Sequence, residues 1–242
     1  MGAFFHTTLY VPLYNLLVFL VGIVPGADFG FAVILATLVV RLVLWPLSMS
    51  AAKSQKAMKA MEPEMKQIRE TYKNDKETEM KEMLALYKKY NIHPAAGLLA
   101  ILIQLPIIIG LYWVFRTKTL PAIDTTILYP FVHAPVAVSV AFLGIASITS
   151  HSILLAVLAG LSQMAQAFYA VPVPPASVEA SSAAEDMARA MAIQMRFVLP
   201  IVIGIAAYTS GAIALYLITT SLVSIFQEFI ARQQKLKTVA VV

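Results

Sequence analysis

From Val136 to Val171 the chain runs for 36 residues without an Asp, Glu, Lys or Arg. A helix needs about 20 apolar residues to cross the ~30 Å hydrocarbon core of a bilayer, and a soluble domain rarely supplies such a run. Similar runs lie at about Phe29 to Met49, Ala95 to Phe115 and Phe197 to Ile230. Only 13% of the 242 residues are charged, against about 25% in soluble domains. The fold class that follows is an all-α integral membrane protein with five transmembrane helices, an N-terminal interfacial helix and a cytoplasmic helical hairpin.

The chain divides along its composition. Residues 1–28 read as an outer-face interfacial helix: Val11 to Val24 is apolar but short, with Tyr10 and Tyr14 at headgroup level and no Lys or Arg before it. The first span is 29–52. A charged block, 53–93, forms the hairpin, with ten basic and seven acidic residues between Lys53 and Lys89. Asn74 with Glu77 reads as a capping box for its second arm. The second span is 94–115, the outer loop and interfacial segment 116–150, and the third span 151–171. A cytoplasmic linker, 172–196, leads to the fourth and fifth spans within 197–230, and 231–242 is a cytoplasmic tail. With the hairpin inside, fifteen of the 18 basic residues are cytoplasmic: ten in the hairpin, Arg189 and Arg196, and three in the tail. The positive-inside rule then places the N-terminus out and the C-terminus in. A second span within 136–171 would carry the basic tail outward.

One arginine interrupts the first span. An Arg at the centre of a span costs about 2.5–3.5 kcal/mol on insertion scales. Thr37, Arg41, Trp45 and Ser48 fall at i, i+4, i+8 and i+11, one helical face. Pro46 has no N–H and frees the Leu42 carbonyl beside them. Either Arg41 lines a functional groove or it snorkels to the headgroups. Other spans carry polar, uncharged stripes: Gln104 and Tyr112; Gln163, Gln166 and Tyr169; and Tyr216, Thr220, Ser224 and Gln227. Each stripe alone fits interhelical hydrogen bonding. Together, with no acid expected within any span, they describe a hydrated cavity whose fixed charge is positive. Its partners would be water, a phospholipid phosphate or an acidic group on a client chain. Met58, Met61, Met65, Met80 and Met83 give the hairpin a flexible apolar stripe, suited to varied partners or simply to the seam between its arms.

The sequence has no cysteine, and His6, His93, His133 and His151 are scattered. It shows no Gly-rich phosphate loop, no Gly-x-Ser-x-Gly and no metal-ligand spacing. Neither catalysis nor a cofactor or metal is expected.

Several motifs, in order, resemble the YidC/Oxa/Alb membrane protein insertases. They are Leu38-Val-Val-Arg41-Leu-Val-Leu-Trp-Pro46, Met61-Glu-Pro63-Glu-Met65, Leu86-Tyr-Lys-Lys89, Ile92-His-Pro94, Gln104-Leu-Pro106 and Leu111-Tyr-Trp113. Met195-Arg-Phe-Val-Leu-Pro200 and Ser210-Gly-Ala-Ile-Ala-Leu-Tyr216 through Gln227 continue the likeness. The length suits the five-span core of that family. The resemblance implies a bacterial plasma-membrane insertase with a positively charged groove, open to the cytoplasm and to lipid, that holds Arg41. It implies nascent membrane proteins as clients, and the Sec translocon, ribosome and signal recognition components as partners of a monomer. The last outer turn, Tyr-Thr-Ser-Gly-Ala, departs from the family's aromatic-Pro-Ala-Gly pattern. Read from the residues alone, a small anion-selective channel or transporter using Arg41 as its selectivity charge stays open.

Overall fold

A computed structural model describes residues 2–90, 107, 109–114, 123–170 and 189–239; for 52–53, 55–56, 58–59, 62 and 231–239 it describes the backbone alone. The chain forms two compact units, Met1–Leu42 with Ile107–Ile230, and Val43–Pro106 with Ala231–Val242.

In the first unit, helix α1 runs Ala3–Ile23, and α2 covers Phe29–Val43. Later in the chain come α6 (residues 109–114), α7 (Ile153–Ala170), α8 (Arg189–Ala207) and α9 (Gly211–Val239), whose apolar part ends at Ile230. Among the described residues α1, α7, α8 and Gly211–Ile230 of α9 are each long and apolar enough to cross a membrane. A fifth span results if α2 and the start of α3, on either side of Leu44, count as one broken span. The break lies two residues before Pro46, which takes the helical partner from the Leu42 carbonyl. Most of the expected second span, 94–115, lies outside the described residues.

Two prolines leave a matching signature. A π-helical stretch at His6–Tyr10 precedes Pro12, and another at Gln194–Val198 precedes Pro200. Proline strands the carbonyl four residues back, and the preceding turn widens: Val11 N–H donates to His6 and Leu199 N–H to Gln194, each five residues away.

The expectation for Tyr10 and Tyr14 needs correction. Both are buried against the chain rather than presented at headgroup level. The Tyr14 hydroxyl accepts from Asp124 N–H at 2.8 Å. Beside it Asn15 donates to the Ile127 carbonyl and accepts from Tyr129 N–H, at 2.9 and 2.6 Å. So α1 is stitched to residues 124–129, and a 21-residue α1 is long enough to span where Val11 to Val24 alone reads as short.

A small hairpin follows, β1 (Ala141–Phe142) and β2 (Ala146–Ser147), antiparallel with Ala141 opposite Ser147. Asp28 caps α2, accepting from the N–H groups of Gly30 and Phe31, and its other oxygen accepts from Leu143 N–H at 3.1 Å. Gly211 and Ala212, the first residues of α9, donate to the carbonyls of Ser150 and Ile148. The approach is close enough that a Cβ on Gly211 would lie 2.6 Å from the Ser147 oxygen.

Helices α7 and α8 cross at Gly160 and Gly204, where a Cβ on Gly204 would sit 3.4 Å from the Gly160 Cα. Small residues at the crossing let the backbones meet. A cleft of about 390 Å³ opens beside this crossing, lined by Ile153, Val157, Met164, Ile201, Ile205 and Tyr208 among others. Both helices leave long apolar faces uncovered, the pattern of surfaces whose solvent is lipid.

The second unit holds α3 (Trp45–Ala60), α4 (Glu62–Thr71) and α5 (Lys76–Lys89). Its core is Met61 and Leu86, packed by Ala57, Met65, Ile68 and Tyr87. Pro63 sits in the first turn of α4, where its missing N–H costs nothing. The cap on α5 is Asp75, not Asn74: its carboxylate accepts from Thr78 N–H at 3.1 Å and from the Thr78 hydroxyl. Asp75 reaches the third residue on, whereas the Asn74–Glu77 pairing falls one residue early. Glu77 and Glu79 in the first turn and Lys88 and Lys89 in the last match the helix dipole.

Candidate functional site

Of the expected groove residues that the structure describes, all but Trp45 and Ser48 belong to the first unit. Arg41, in the last turn of α2, is half-buried. Among the described residues no carboxylate forms an ion pair with it. One turn earlier Thr37 is buried, but its hydroxyl donates to the Val33 carbonyl of its own helix at 2.7 Å. Thr37 therefore spends its one donor inside its own helix.

Along α9, Tyr216, Thr220 and Gln227 are buried and Ser224 is half-buried. A Ser or Thr in an apolar helix can always donate to the carbonyl four residues back. Thr219 does so to Leu215 at 2.8 Å, and Ser224 to Thr220 at 2.9 Å. Thr220 and Ser221 do not. Their hydroxyls, together with Gln227 Nε2 and Gln166 Oε1 on α7, are buried with no hydrogen-bond partner among the described residues. A polar atom left so costs about 1–3 kcal/mol unless something meets it. Buried water occurs where several polar groups converge.

The remaining expected residues are spread. Gln163 is half-buried on α7, while Tyr112 of α6 is exposed and packs edge-on against Trp113. Tyr169 is exposed at the end of α7. Trp45 and Ser48 belong to the second unit, where both are half-buried. Gln104 lies outside the described residues, and so does the side chain of Met58. Met61 and Met65 form the hairpin seam, Met83 is half-buried, and Met80 is 67% exposed.

Ser221 was missed by sequence reasoning, which followed the i, i+4 stripe through Thr220. It is fully buried. The available signal was the run Thr219-Thr220-Ser221, three hydroxyls in a row inside an apolar helix. A lone intramembrane charge also needs correction. Glu228 lies in the last turn of the apolar part of α9, half-buried and with an interaction partner. Arg196 lies inside α8, its guanidinium carbon 5.1 Å from the centre of the Phe168 ring.

Outside the spans, hydrogen bonds set the ionisation of the hairpin. The Glu64 carboxylate accepts from the Tyr90 hydroxyl and from Lys89 Nζ, the latter at 3.0 Å, and these hold its carboxyl below the ordinary value. The same contacts raise Lys89 and Tyr90. Thr78 similarly lowers Asp75.

These features define a multi-pass α-helical membrane protein whose helices carry partly buried polar side chains, with a charged helical hairpin in its second unit. The family model for the 60Kd inner membrane protein matches residues 19–238, and the chain belongs to that family. It is 30% identical over 213 residues to the membrane protein insertase YidC of Clostridium tetani, covering 88% of this chain and 86% of that one. The insertase YidC of Clostridium perfringens is 42% identical over 94 residues, 39% of this chain and 40% of the relative. That of Lawsonia intracellularis is 41% identical over 107 residues, 44% of this chain, and the match spans only 20% of that longer relative.

Proposed function

We propose that the protein is a membrane protein insertase of the bacterial plasma membrane. It moves short hydrophilic segments of client proteins through a hydrated, positively charged groove and releases their apolar helices into lipid. The observation that carries this reading is the set of partnerless buried polar atoms on Gln166, Thr220, Ser221 and Gln227, in the same unit as half-buried Arg41. Water fills such a site, and a polar client segment exchanges with it at little cost. Arg41, half-buried at the end of α2, supplies the positive potential that draws an acidic outer segment inward. The uncovered apolar faces of α7 and α8 give client helices a path into the hydrocarbon. No nucleotide enters the cycle, because burial of client helices in lipid drives it.

The hairpin receives clients on the cytoplasmic side, with Met80 and Leu84, one turn apart on α5, as its exposed apolar contact. The N-terminus is outside and the C-terminus inside. Nascent membrane proteins are the clients, the Sec translocon, ribosome and signal recognition components are partners to test, and the working unit is a monomer.

Reconstitution tests the reading. Proteoliposomes carrying the full chain insert a single-span client with an acidic outer segment; Arg41→Lys retains most of the insertion and Arg41→Glu sharply lowers it. Anion flux in the absence of client, with no insertion, would instead make the protein a small anion-selective channel.

A further inference from the structure

We propose that the turn Leu143-Gly144-Ile145 is a lipid anchor, its apolar side chains seated in the headgroup boundary of the bilayer. The turn joins β1 to β2, and both Leu143 and Gly144 have positive φ, 53° and 70°. A turn facing water favours Asn, Asp or Gly at such positions. Here a leucine occupies the left-handed region and holds its side chain out, 57% exposed, with Ile145 77% exposed beside it. Each is more than half exposed, so folding alone gives little reason for two large apolar side chains at the tip.

The height of the tip is fixed by its hydrogen bonds. Leu143 N–H donates to Asp28, the residue that caps the first turn of α2. Phe142 lies against Gly30, leaving no room there for a Cβ, and its ring centre is 5.3 Å from that of Phe31. Just past β2, Ile148 and Ser150 accept from the first residues of α9, and Ile153 begins α7. Three apolar helices thus have their N-terminal ends at this segment. In a bilayer that level is the boundary between hydrocarbon and water, where an apolar tip gains most by turning into lipid. The stretch from Thr125 to Ser150 contains no Asp, Glu, Lys or Arg, so the attraction is apolar and independent of headgroup charge.

The chain has no cysteine, so single-cysteine spin labels report cleanly. Leu143→Cys and Ile145→Cys are labelled in full-length protein in phosphatidylcholine nanodiscs, and again with added phosphatidylglycerol. Lys73→Cys in the charged hairpin is the water reference, and Ile201→Cys on the apolar face of α8 the lipid reference. At both tip sites, collisional relaxation by a water-soluble nickel chelate is largely lost relative to Lys73→Cys, while relaxation by oxygen approaches that of Ile201→Cys, equally in both lipids. Nickel relaxation at both sites matching Lys73→Cys overturns the anchor. Protection that appears only with phosphatidylglycerol overturns it as an apolar contact.

Discussion

The hairpin and the membrane unit treat their polar groups in opposite ways. In the hairpin, Lys76 pairs with Glu79, Lys81 with Glu77 and Lys89 with Glu64, on side chains mostly open to water. Water would satisfy those groups anyway, so the pairs add little. In the membrane unit, where an unmet polar atom is expensive, four among the described residues are buried without partners. Stability alone would have paired them or replaced them with apolar groups. The contrast locates the part of the molecule shaped by something other than folding.

Reversing the charge of the site tests the contrast most severely. Arg41→Glu is expected to lower insertion of a client with an acidic outer segment by roughly tenfold, about 1.4 kcal/mol, while Arg41→Lys keeps most of it. Full activity from the glutamate variant in a depletion–rescue assay would remove the electrostatic argument and leave hydration alone. The start of α9 comes next. Gly211→Ala puts a Cβ 2.6 Å from the Ser147 oxygen, and overpacking of this kind costs about 1–3 kcal/mol. Thermal unfolding in detergent measures it, and an unchanged melting temperature would mean that the α9 start is not held as described.

Replacing partnerless hydroxyls by apolar groups gives a prediction with a sign. Thr220→Val and Ser221→Ala should each raise stability, by about 1 kcal/mol, yet reduce insertion. A loss of stability would show that these hydroxyls have structural partners after all.

The hairpin supplies the smaller effects. Glu64 ionises below its ordinary value of 4.5. A depressed carboxyl stabilises the folded form above that ordinary value and ceases to do so as pH falls through the lower, folded-state value. The Glu64 contact to Tyr90 and Lys89 should therefore persist at pH 5 and release in stronger acid, read by the distance between spin labels on α4 and α5. Lys81→Ala, removing one exposed pair, should leave the hairpin's melting curve unchanged within error. A marked shift would mean that such pairs matter more than their exposure implies.

Much of this was legible from residues. Apolar runs of spanning length announce α7, α9 and the second half of α8, because a bilayer demands both length and apolarity; the first half of α8, from Arg189, falls where a linker as far as residue 196 is expected. The hairpin's seam shows in the spacing of Met61, Met65 and Ile68, though Leu86 completes it from the second arm. The cap at Asp75 was misplaced by one residue because Asn74 and Asp75 are chemically near-equivalent, and only backbone geometry chooses between them. Tyr14 and Asn15 are harder still. Their partners, Asp124, Ile127 and Tyr129, lie more than a hundred residues away, and no local pattern links them.

The sequence by itself determined that the chain is a helical membrane protein, where its charge lies, and that Arg41 stands in an apolar helix. Composition and period suffice for that, since the solvent of each segment dictates its residues. Tertiary structure decided which hydroxyls turn back to their own helix and which are left open. Thr219 and Thr220 are adjacent and identical, yet one donates to Leu215 and the other to nothing. That difference is set by what each helix face meets, which a single strand of residues does not encode.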